Sequence, residues 1–406
     1  MLISKKIRLI LTPEQEHYCW RASGTARWAY NQYIATCREM YLAKKNDPNQ
    51  QGFITAFSFN KEITQMKKTK KKLSWLKDIA ACVTKTAVIN GQKAYDRFFK
   101  GLSKFPQFHA KRKTTPSFAM QSKSFKVVKH GCKIEKLGVV RTAEPIPKSH
   151  KDAYKNVVIS FDNKYWYVSF SYEIETQKEE LTNVSVGIDL GIKVLAMLAT
   201  TDNQFREFKN INKTAVIKRL GKRLKCTQRS LSRKIAACVS GYMEKDSIDK
   251  NGNPCKVKKP IWIKRPRESK NFNKNIYKIQ RLHRRLRCIR NNYLHQVTTS
   301  VVKAKPYRIV LEDLQVKALM KNKHLSKAIQ DQKWYEFRRQ ITYKAQRYGI
   351  EVIIVPKNYP SSKTCSRCGA IKHDLQLKDR VYICEHCGLK INRDLNAAIN
   401  LANYKI

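Results

Sequence analysis

The stretch "NVSVGIDLGIKVLAMLATTDNQF", residues 183–205, is among the longest apolar runs of the chain, and one carboxylate, Asp189, stands inside it. Aliphatic residues at nearly every position on either side of Gly191 predict two strands joined by a turn there. Strands apolar on both faces predict a sheet covered on both sides. A carboxylate in such a strand is costly to bury unless a cation or several donors compensate it. An acid at a strand end can also simply cap a neighbouring loop.

Working outward, "PYRIVLEDL" (306–314) reads as a second buried strand that ends at Glu312. "LSKAIQDQKWYEFRRQITYKAQRYG" (325–349) reads as a helix stopped by Gly349, and "IEVIIVP" (350–356) as a further buried strand. Strand, helix and strand in this order predict an α/β second half. In "NRDLNAAINLANY" (392–404), Leu395, Ala398, Ile399 and Ala402 share one face of a helix that can pack on such a sheet. Asp394 opens that helix, where an acid also suits the helix dipole. Three acids from two strands and one helix, Asp189, Glu312 and Asp394, form a donor set suited to two Mg²⁺ ions that cut a phosphodiester.

The 406 residues suffice for two or three domains, and 42% hydrophobic residues argue for a folded chain. Lys and Arg number 83 against 31 Asp and Glu, a formal net charge of +52 spread over the whole length. That field attracts polyanions, so nucleic acid is the expected partner and salt should weaken the binding steeply. A membrane protein is not expected, because every apolar run is broken by Asp, Lys or Pro before the roughly 20 residues a span needs. The opening "MLISKKIRLILTPEQ" lacks the length and cleavage site of a signal peptide, so a cytoplasmic protein is expected.

In the first half, "KKIRLIL" alternates like a strand, and Pro13 introduces a long helical pattern to about residue 45. Further helical patterns cover about 59–70 and 76–99, the latter with an apolar face through Ile79, Val83, Ala87, Ala94 and Phe98. From about 105 to Ile174 short β-branched and aromatic runs take over, with Asn163 and Lys164 as a hairpin turn. The expectation is a small β-barrel or sandwich with helices inserted into it. The acidic "ETQKEE" (175–180) reads as a linker. Two basic helices at about 211–236 and 273–303 carry Ile217, Leu220, Leu224, Leu231 and Ile235, then Ile279, Leu282, Leu286, Ile289 and Tyr293, at spacings of three and four. This is the seam of an antiparallel hairpin. Its basic residues either form a solvated face or, with so few acids opposite them, face phosphate. About 240–270, rich in Gly, Asn, Pro and Lys, reads as a surface loop.

Twelve cysteines divide into eight singles, read as small apolar fillers, and two CxxC pairs: Cys365 with Cys368, and Cys384 with Cys387. The spacing fits a four-thiolate Zn²⁺ site, with Gly369 and Gly388 placed for the tight turns that aim amides at sulfur. Disulfides and a redox dithiol are the rival readings; the first is at odds with a cytosolic protein and the second needs no second pair. Structural zinc would decide whether this small segment folds.

Seven stretches carry a family resemblance: "GTARWAYN" (24–31), "KFPQFHAKR" (104–112), "VGIDLGIKVLA" (186–196), "IVLEDL" (309–314), "YPSSKTCSRCG" (359–369), "YICEHCG" (382–388) and "NRDLNAAINL" (392–401). In this order the chain resembles the TnpB family, the OrfB-type proteins of bacterial insertion sequences that are similar to compact type V CRISPR nucleases. The resemblance implies an α/β plus β-barrel architecture. A RuvC-like RNase H fold over 183–358 and 391–406 would hold Mg²⁺ or Mn²⁺ at Asp189, Glu312 and Asp394, with Arg393 nearby. A zinc-ribbon insert, 359–390, would bind target nucleic acid. An oligonucleotide-binding-like β-barrel wedge domain, 1–12 and 102–178, would carry an inserted helical recognition lobe, 13–101. The implied activity is RNA-guided DNA cleavage, with a guide RNA encoded in the flanking element DNA and double-stranded target DNA beside a short adjacent motif. A prokaryotic, nucleoid-associated monomer serving a transposable element is expected. Nucleic-acid contacts are expected at Arg27, Tyr30, Asn31 and Arg393, and at Lys85, Asn90 and Gln92 where family members read the adjacent motif; polar residues of an amphipathic helix are also commonly its wet face. The 240–270 segment is longer than the family pattern suggests. Alternatives are a guide-dependent DNA-binding repressor, against which all three acids are present, and a transposase, whose Asp, Asp, Glu order fits less well.

Overall fold

Strict alternation makes "LISKKIRLI" a strand, β1 (Leu2–Ile10), with Ile7 and Leu9 turned into the core. In the computed structural model, which describes residues 1–49, 52–149, 153–175, 180–248, 254–264, 266–356, 358–376 and 379–405, the chain divides into two units, Met1–Glu175 and Thr176–Ile406. In the first, β1 is followed by α1 (Pro13–Asn46), α2 (Ala56–Thr69) and α3 (Ala81–Phe99). Thr12 and Gln15 form a capping box at the start of α1, with Pro13 in the first turn. Six strands complete the unit: β2 (Ser117–Met120), β3 (Phe125–Val128), β4 (Gly131–Ile134), β5 (Gly138–Thr142), β6 (Tyr154–Phe161) and β7 (Trp166–Glu173). The order β2-β6-β7-β1-β5-β4-β3 is antiparallel throughout, and β1 joins its two arms by pairing with β7 along most of its length and with β5 at its end. The row includes no pairing of β2 with β3 among the described residues. The helices enter between β1 and β2 as the sequence predicts. The buried face of α3 is shifted from the expected one: Val83, Ala87, Val88, Gly91 and Tyr95 are buried, while Ala94 and Phe98 lie partly exposed and Ile79 precedes the helix. The reason is α1, whose Tyr33 ring lies where a Cβ on Gly91 would stand.

The second unit is built on a five-stranded sheet. After β8 (Thr182–Leu190), β9 (Val194–Thr200) and β10 (Phe205–Lys209) come α4 (Ala215–Ala236), β11 (Val239–Ile248), β12 (Pro254–Trp262), α5 (Lys270–Lys303) and β13 (Pro306–Glu312). Then follow α6 (Val316–Leu319), α7 (Ser326–Gln332), α8 (Trp334–Tyr348), β14 (Glu351–Val355), β15 (Val381–Ile383), β16 (Lys390–Asn392) and α9 (Arg393–Ala402). The order is β10-β9-β8-β13-β14; β8, β9 and β10 form an antiparallel meander, and β13 is parallel to both β8 and β14. Val186, Ile188, Ile309 and Leu311 pack against Leu294, Val297 and Val301 of α5 and Phe337 and Ile341 of α8. On the other face α9 packs Ala398 on Met197 and Ala199, and Leu401 on Val310 and Val355. The sheet is thus covered on both sides, which is why its strands read as unbroken apolar runs. The α4–α5 seam closes through Ile217, Leu220, Leu224, Leu282, Leu286 and Ile289. Tyr293 instead joins the sheet-side core and donates to the Lys209 carbonyl at 2.7 Å, while Leu231, Ile235 and Ile279 stay outside the seam core.

Further expectations need correction. The segment read as a surface loop at 240–270 is largely an antiparallel ribbon, β11 against β12, running from Val239↔Trp262 to Ile248↔Pro254. Residues 249–253 and most of the acidic stretch, 176–179, lie outside the described residues. The helix expected over 325–349 is broken at Lys333, which adopts φ 57° and separates α7 from α8; Gly349, at φ 74°, ends α8 as predicted. Tertiary bonds impose the break, as the Lys333 ammonium reaches Asn291 and the buried Gln332 amide serves the β8–β9 turn. Of the single cysteines, Cys19, Cys37, Cys82 and Cys132 are buried fillers, whereas Cys226 and Cys288 are exposed. No helix among the described residues is long and apolar enough to cross a membrane.

Candidate active site and metal centre

Asp189 lies near the carboxyl end of β8, and Glu312 ends β13 one step beyond the Ile188↔Leu311 pair. Strand alternation puts both on the α9 face: Gly187, two residues before Asp189, abuts the α9 backbone, and Val310, two before Glu312, packs on Leu401. Asp394 sits in the first turn of α9, whose cap Asn392 accepts from the amides of Asp394 and Leu395. Asp189 keeps a partly exposed edge, yet its carboxyl is pushed up to about 8. Burial is the first cause, then the charges of Glu312 and Asp394; Arg393 and the Leu190 amide oppose the shift. The three carboxylates therefore face one another electrostatically, but not within the mutual 4.8 Å that encloses the four cysteine sulfurs. Hard oxygen donors that repel one another in a strongly basic chain fit a divalent cation.

Three further side chains hold this arrangement, and sequence reasoning did not single them out. The Ser361 hydroxyl donates to Oε1 of Glu312. Gln332, 3% exposed, donates from Nε2 to the carbonyls of Gly191 and Ile192, both at 3.1 Å, and of Val194 at 3.4 Å. Asn210 reaches the Ile192 carbonyl too, at 2.7 Å, so the turn immediately after Asp189 is tied from two elements. Next to Glu312, Asp313 pairs with Arg338 at 2.8 Å beside a cavity of ≈ 430 Å³ that both acids line. Ser361 lies inside the quoted "YPSSKTCSRCG", which was the available signal; nothing in the periodicity of 325–349 marks Gln332.

The four cysteines converge. Cys365 and Cys387 sulfurs stand 3.6 Å apart, as do those of Cys368 and Cys384. A tetrahedral ion with bonds of about 2.3 Å separates its sulfurs by roughly 3.8 Å, so the cluster can hold a metal such as zinc. Each knuckle turns at a left-handed glycine, Gly369 at φ 77° and Gly388 at φ 70°, with its amide bonded to the carbonyl of Cys365 or Cys384. Backbone amides of Cys387 and His386 push the Cys384 thiol down, toward the thiolate a metal needs, while Cys368 in the same cluster is pushed up. Tyr382, fully buried, forms the floor of this small core, which β15 and β16 frame.

The expected nucleic-acid contacts are placed as follows. Tyr30 stacks on His109 at 3.9 Å between centroids, and Asn31 bonds both backbone groups of His109, at 3.0 and 2.8 Å. Arg27, Tyr30 and Asn90 line a cavity of ≈ 180 Å³, where burial and then Arg27 push His109 down. Lys85 and Gln92 line another of ≈ 710 Å³, and Gln92 accepts from the Ala56 amide at 2.7 Å. Asn31 and Gln92 thus serve the fold directly. Arg393 donates to the Gln376 carbonyl at 2.9 Å while lowering the Asp189 carboxyl.

Comparison with known proteins gives two family matches: the Cas12f1-like TNB domain over residues 334–401, and a helix-turn-helix domain of IS605 OrfB proteins over residues 1–46. The latter region is here one strand and one helix. A protein of Streptomyces pristinaespiralis described as a "Putative RNA-guided DNA endonuclease" is 28% identical over 404 residues, 98% of this chain and 87% of its own. "Putative RNA-guided DNA endonuclease InsQ" of Escherichia coli is 28% identical over 94% of this chain and 89% of its own. The "CRISPR-associated endodeoxyribonuclease Cas12f1" of Sulfoacidibacillus thermotolerans is 27% identical over 58% of this chain and 50% of its own. Matched near both ends by these two models and aligned along nearly its full length with these relatives, the chain is similar to OrfB-type RNA-guided DNA endonucleases and to Cas12f1.

Proposed function

We propose that the protein is an RNA-guided DNA endonuclease of a transposable element, with Asp189, Glu312 and Asp394 as its catalytic acids. The observation that carries the reading is that Asp189 and Glu312 share the sheet face on which α9 brings Asp394, with burial first and then the charges of Glu312 and Asp394 lifting the Asp189 carboxyl to about 8. The order of the five strands, three antiparallel and two parallel additions, supports a RuvC-like RNase H fold over 183–358 and 391–406. The charge of +52 and the names of the relatives support guide RNA and double-stranded target DNA as partners. The helices inserted between β1 and β2 support a wedge domain over 1–12 and 102–178 carrying a recognition lobe over 13–101. Residues 359–390 would be the zinc-ribbon insert that meets target DNA.

Asp189, Glu312 and Asp394 would hold Mg²⁺ or Mn²⁺. When bound, such ions supply positive charge for the attacking hydroxide and the departing 3′ oxygen. The chain's own contribution is geometric: Gln332 and Asn210 fix the turn after Asp189, Asn392 fixes the start of α9, and Arg393 favours the ionised form of Asp189. Cys365, Cys368, Cys384 and Cys387 would hold structural Zn²⁺, which supplies folding free energy to a segment with little core of its own.

The test is to express the protein with its native flanking DNA, sequence the RNA that co-purifies, and challenge the complex with targets bearing randomised flanks. Cleavage that needs Mg²⁺, a matching guide and a defined flank is the expected result. Asp189→Ala should retain target binding and lose cutting; undiminished cutting by that variant, or the absence of any discrete RNA, would refute the proposal.

A further inference from the structure

Among the described residues, Glu312 is the one acid of the three with a hydroxyl placed on it, and the donor comes from 49 residues away. Ser361 is 3% exposed, in the tight segment that leads from β14 to the first cysteine knuckle. Its own amide bonds the Tyr359 carbonyl at 2.9 Å, and the amide of Thr364 bonds Pro360 at 2.9 Å. Two asparagines of α9, one turn apart and both buried, hold this segment from outside it. Asn400 donates to the carbonyls of Ser361 and Thr364, each at 2.7 Å. Asn396 donates to Thr364 at 2.7 Å and accepts from the Ser366 amide at 3.0 Å.

The consequence is a closed circuit of named groups. Helix α9 carries Asp394, and two residues later the first of its buried asparagines begins the clamp on the 361–366 segment. That segment returns a hydroxyl to Glu312 on β13, beside Asp189 on β8. Four residues beyond Ser361 comes Cys365, whose amide closes the first knuckle on Ala370 at 2.8 Å. The carbonyls of Tyr359, Pro360, Ser361 and Thr364 already accept from other donors, and the Ser361 hydroxyl is given to Glu312. A donor on one carboxylate oxygen restricts the rotation of the whole group, so the other oxygen is presented in one orientation.

We propose that Ser361 is a positioning residue for the nuclease centre, its hydroxyl orienting the Glu312 carboxylate toward Asp189 and Asp394. The inference rests on the nuclease reading above, so the experiment separates the two. The full chain with its co-purified RNA is prepared as wild type, Ser361→Ala, Ser361→Thr and Glu312→Gln, and as the Ser361→Ala, Glu312→Gln double variant. Mn²⁺ binding is followed by electron paramagnetic resonance, target binding by filter retention, and cutting by single-turnover kinetics at saturating target.

Removing a group that orients a metal ligand typically lowers metal affinity or activity about 10–100-fold. Ser361→Ala should show a loss of that size in both Mn²⁺ affinity and cutting rate, with target affinity unchanged. Ser361→Thr, which keeps the hydroxyl, should recover most of it. In the Glu312→Gln background Ser361→Ala should cost little more, because the acceptor it serves is already altered. Unchanged Mn²⁺ affinity in Ser361→Ala overturns the proposal, as does a Thr variant no better than Ala or full additivity with Glu312→Gln. A wild type that binds Mn²⁺ but cuts no matched DNA would defeat the nuclease reading, while the Mn²⁺ series still decides the role of Ser361.

Discussion

Gly187 is where the three acids are most vulnerable to a substitution that touches none of them. A Cβ built there would stand 2.1 Å from the Ala398 carbonyl oxygen and 2.2 Å from the Ala402 amide nitrogen, both backbone atoms of α9. Neither can swing aside as a side-chain tip would. To restore ordinary contact near 3.4 Å, the helix must retreat by roughly 1.3 Å or β8 must bend by as much. Overpacking of this kind costs about 1–3 kcal/mol, which for a unit of this size lowers Tm by roughly 2–12 °C. Its effect on chemistry should be larger, because Asp394 rides on the displaced helix and Asp189 lies two residues along the strand that displaces it. A misplacement of about 1 Å can cost about 100-fold in rate. Gly187→Ala is therefore expected to cut matched DNA about 100-fold more slowly in single-turnover assays, with guide and target binding retained. A variant with wild-type Tm and wild-type cutting would show that α9 does not bear on β8 at this point, and the account of how Asp394 is placed would fail with it.

The remaining predictions concern charge and metal. Asp189 has its carboxyl raised from 3.8 to about 8, so the folded chain keeps a proton the unfolded chain gives up. The stability this proton confers is complete below about pH 4 and is lost as pH rises through about 8. Without divalent metal, wild-type Tm should thus fall more steeply between pH 5 and pH 8 than that of Asp189→Asn. Millimolar Mg²⁺ at pH 8 should raise the wild-type Tm and leave the variant nearly unmoved in differential scanning fluorimetry, and equal slopes would contradict the burial of this charge. Cys384→Ser should abolish bound zinc by elemental analysis and open residues 359–390 to limited proteolysis; one zinc per chain retained in that variant would exclude the four-sulfur site.

How far the sequence carried the fold follows from the range of the interactions involved. Apolar runs report burial on both faces, so the strands around Asp189, Glu312 and Val355 were readable, whereas which of their residues share the α9 face emerged only from the contacts of Gly187 and Val310. The CxxC pairs were readable because ligand spacing within a knuckle is local. Lys333 was not, since a lysine at φ 57° has no local signature and is held there by bonds to Asn291 and by the task of Gln332, about 140 residues from the carbonyls it serves. The 240–270 ribbon was missed for a different reason. Glycine, proline and lysine dominated its composition, while the alternation that makes β11 and β12 buries none of its described side chains and so left no apolar face to detect.

The residues that let α9 approach the sheet also explain why the acids cannot be relaxed. Gly187 on the strand and Ala398 and Ala402 on the helix remove side-chain volume from the contact, so α9 lies close on β8 and carries Asp394 beside Asp189. Close packing and like charge are then the same feature. Each ångström of separation that would ease the repulsion on Asp189 would also widen the space between donors that a cation must span. Asn396 and Asn400 prevent the helix from escaping, because drifting away would strand buried amides that now bond the 361–366 segment. On this account, substitutions that stabilise the metal-free chain should cluster at Asp189, Glu312 and Asp394 themselves, and they should do so only at the expense of cutting.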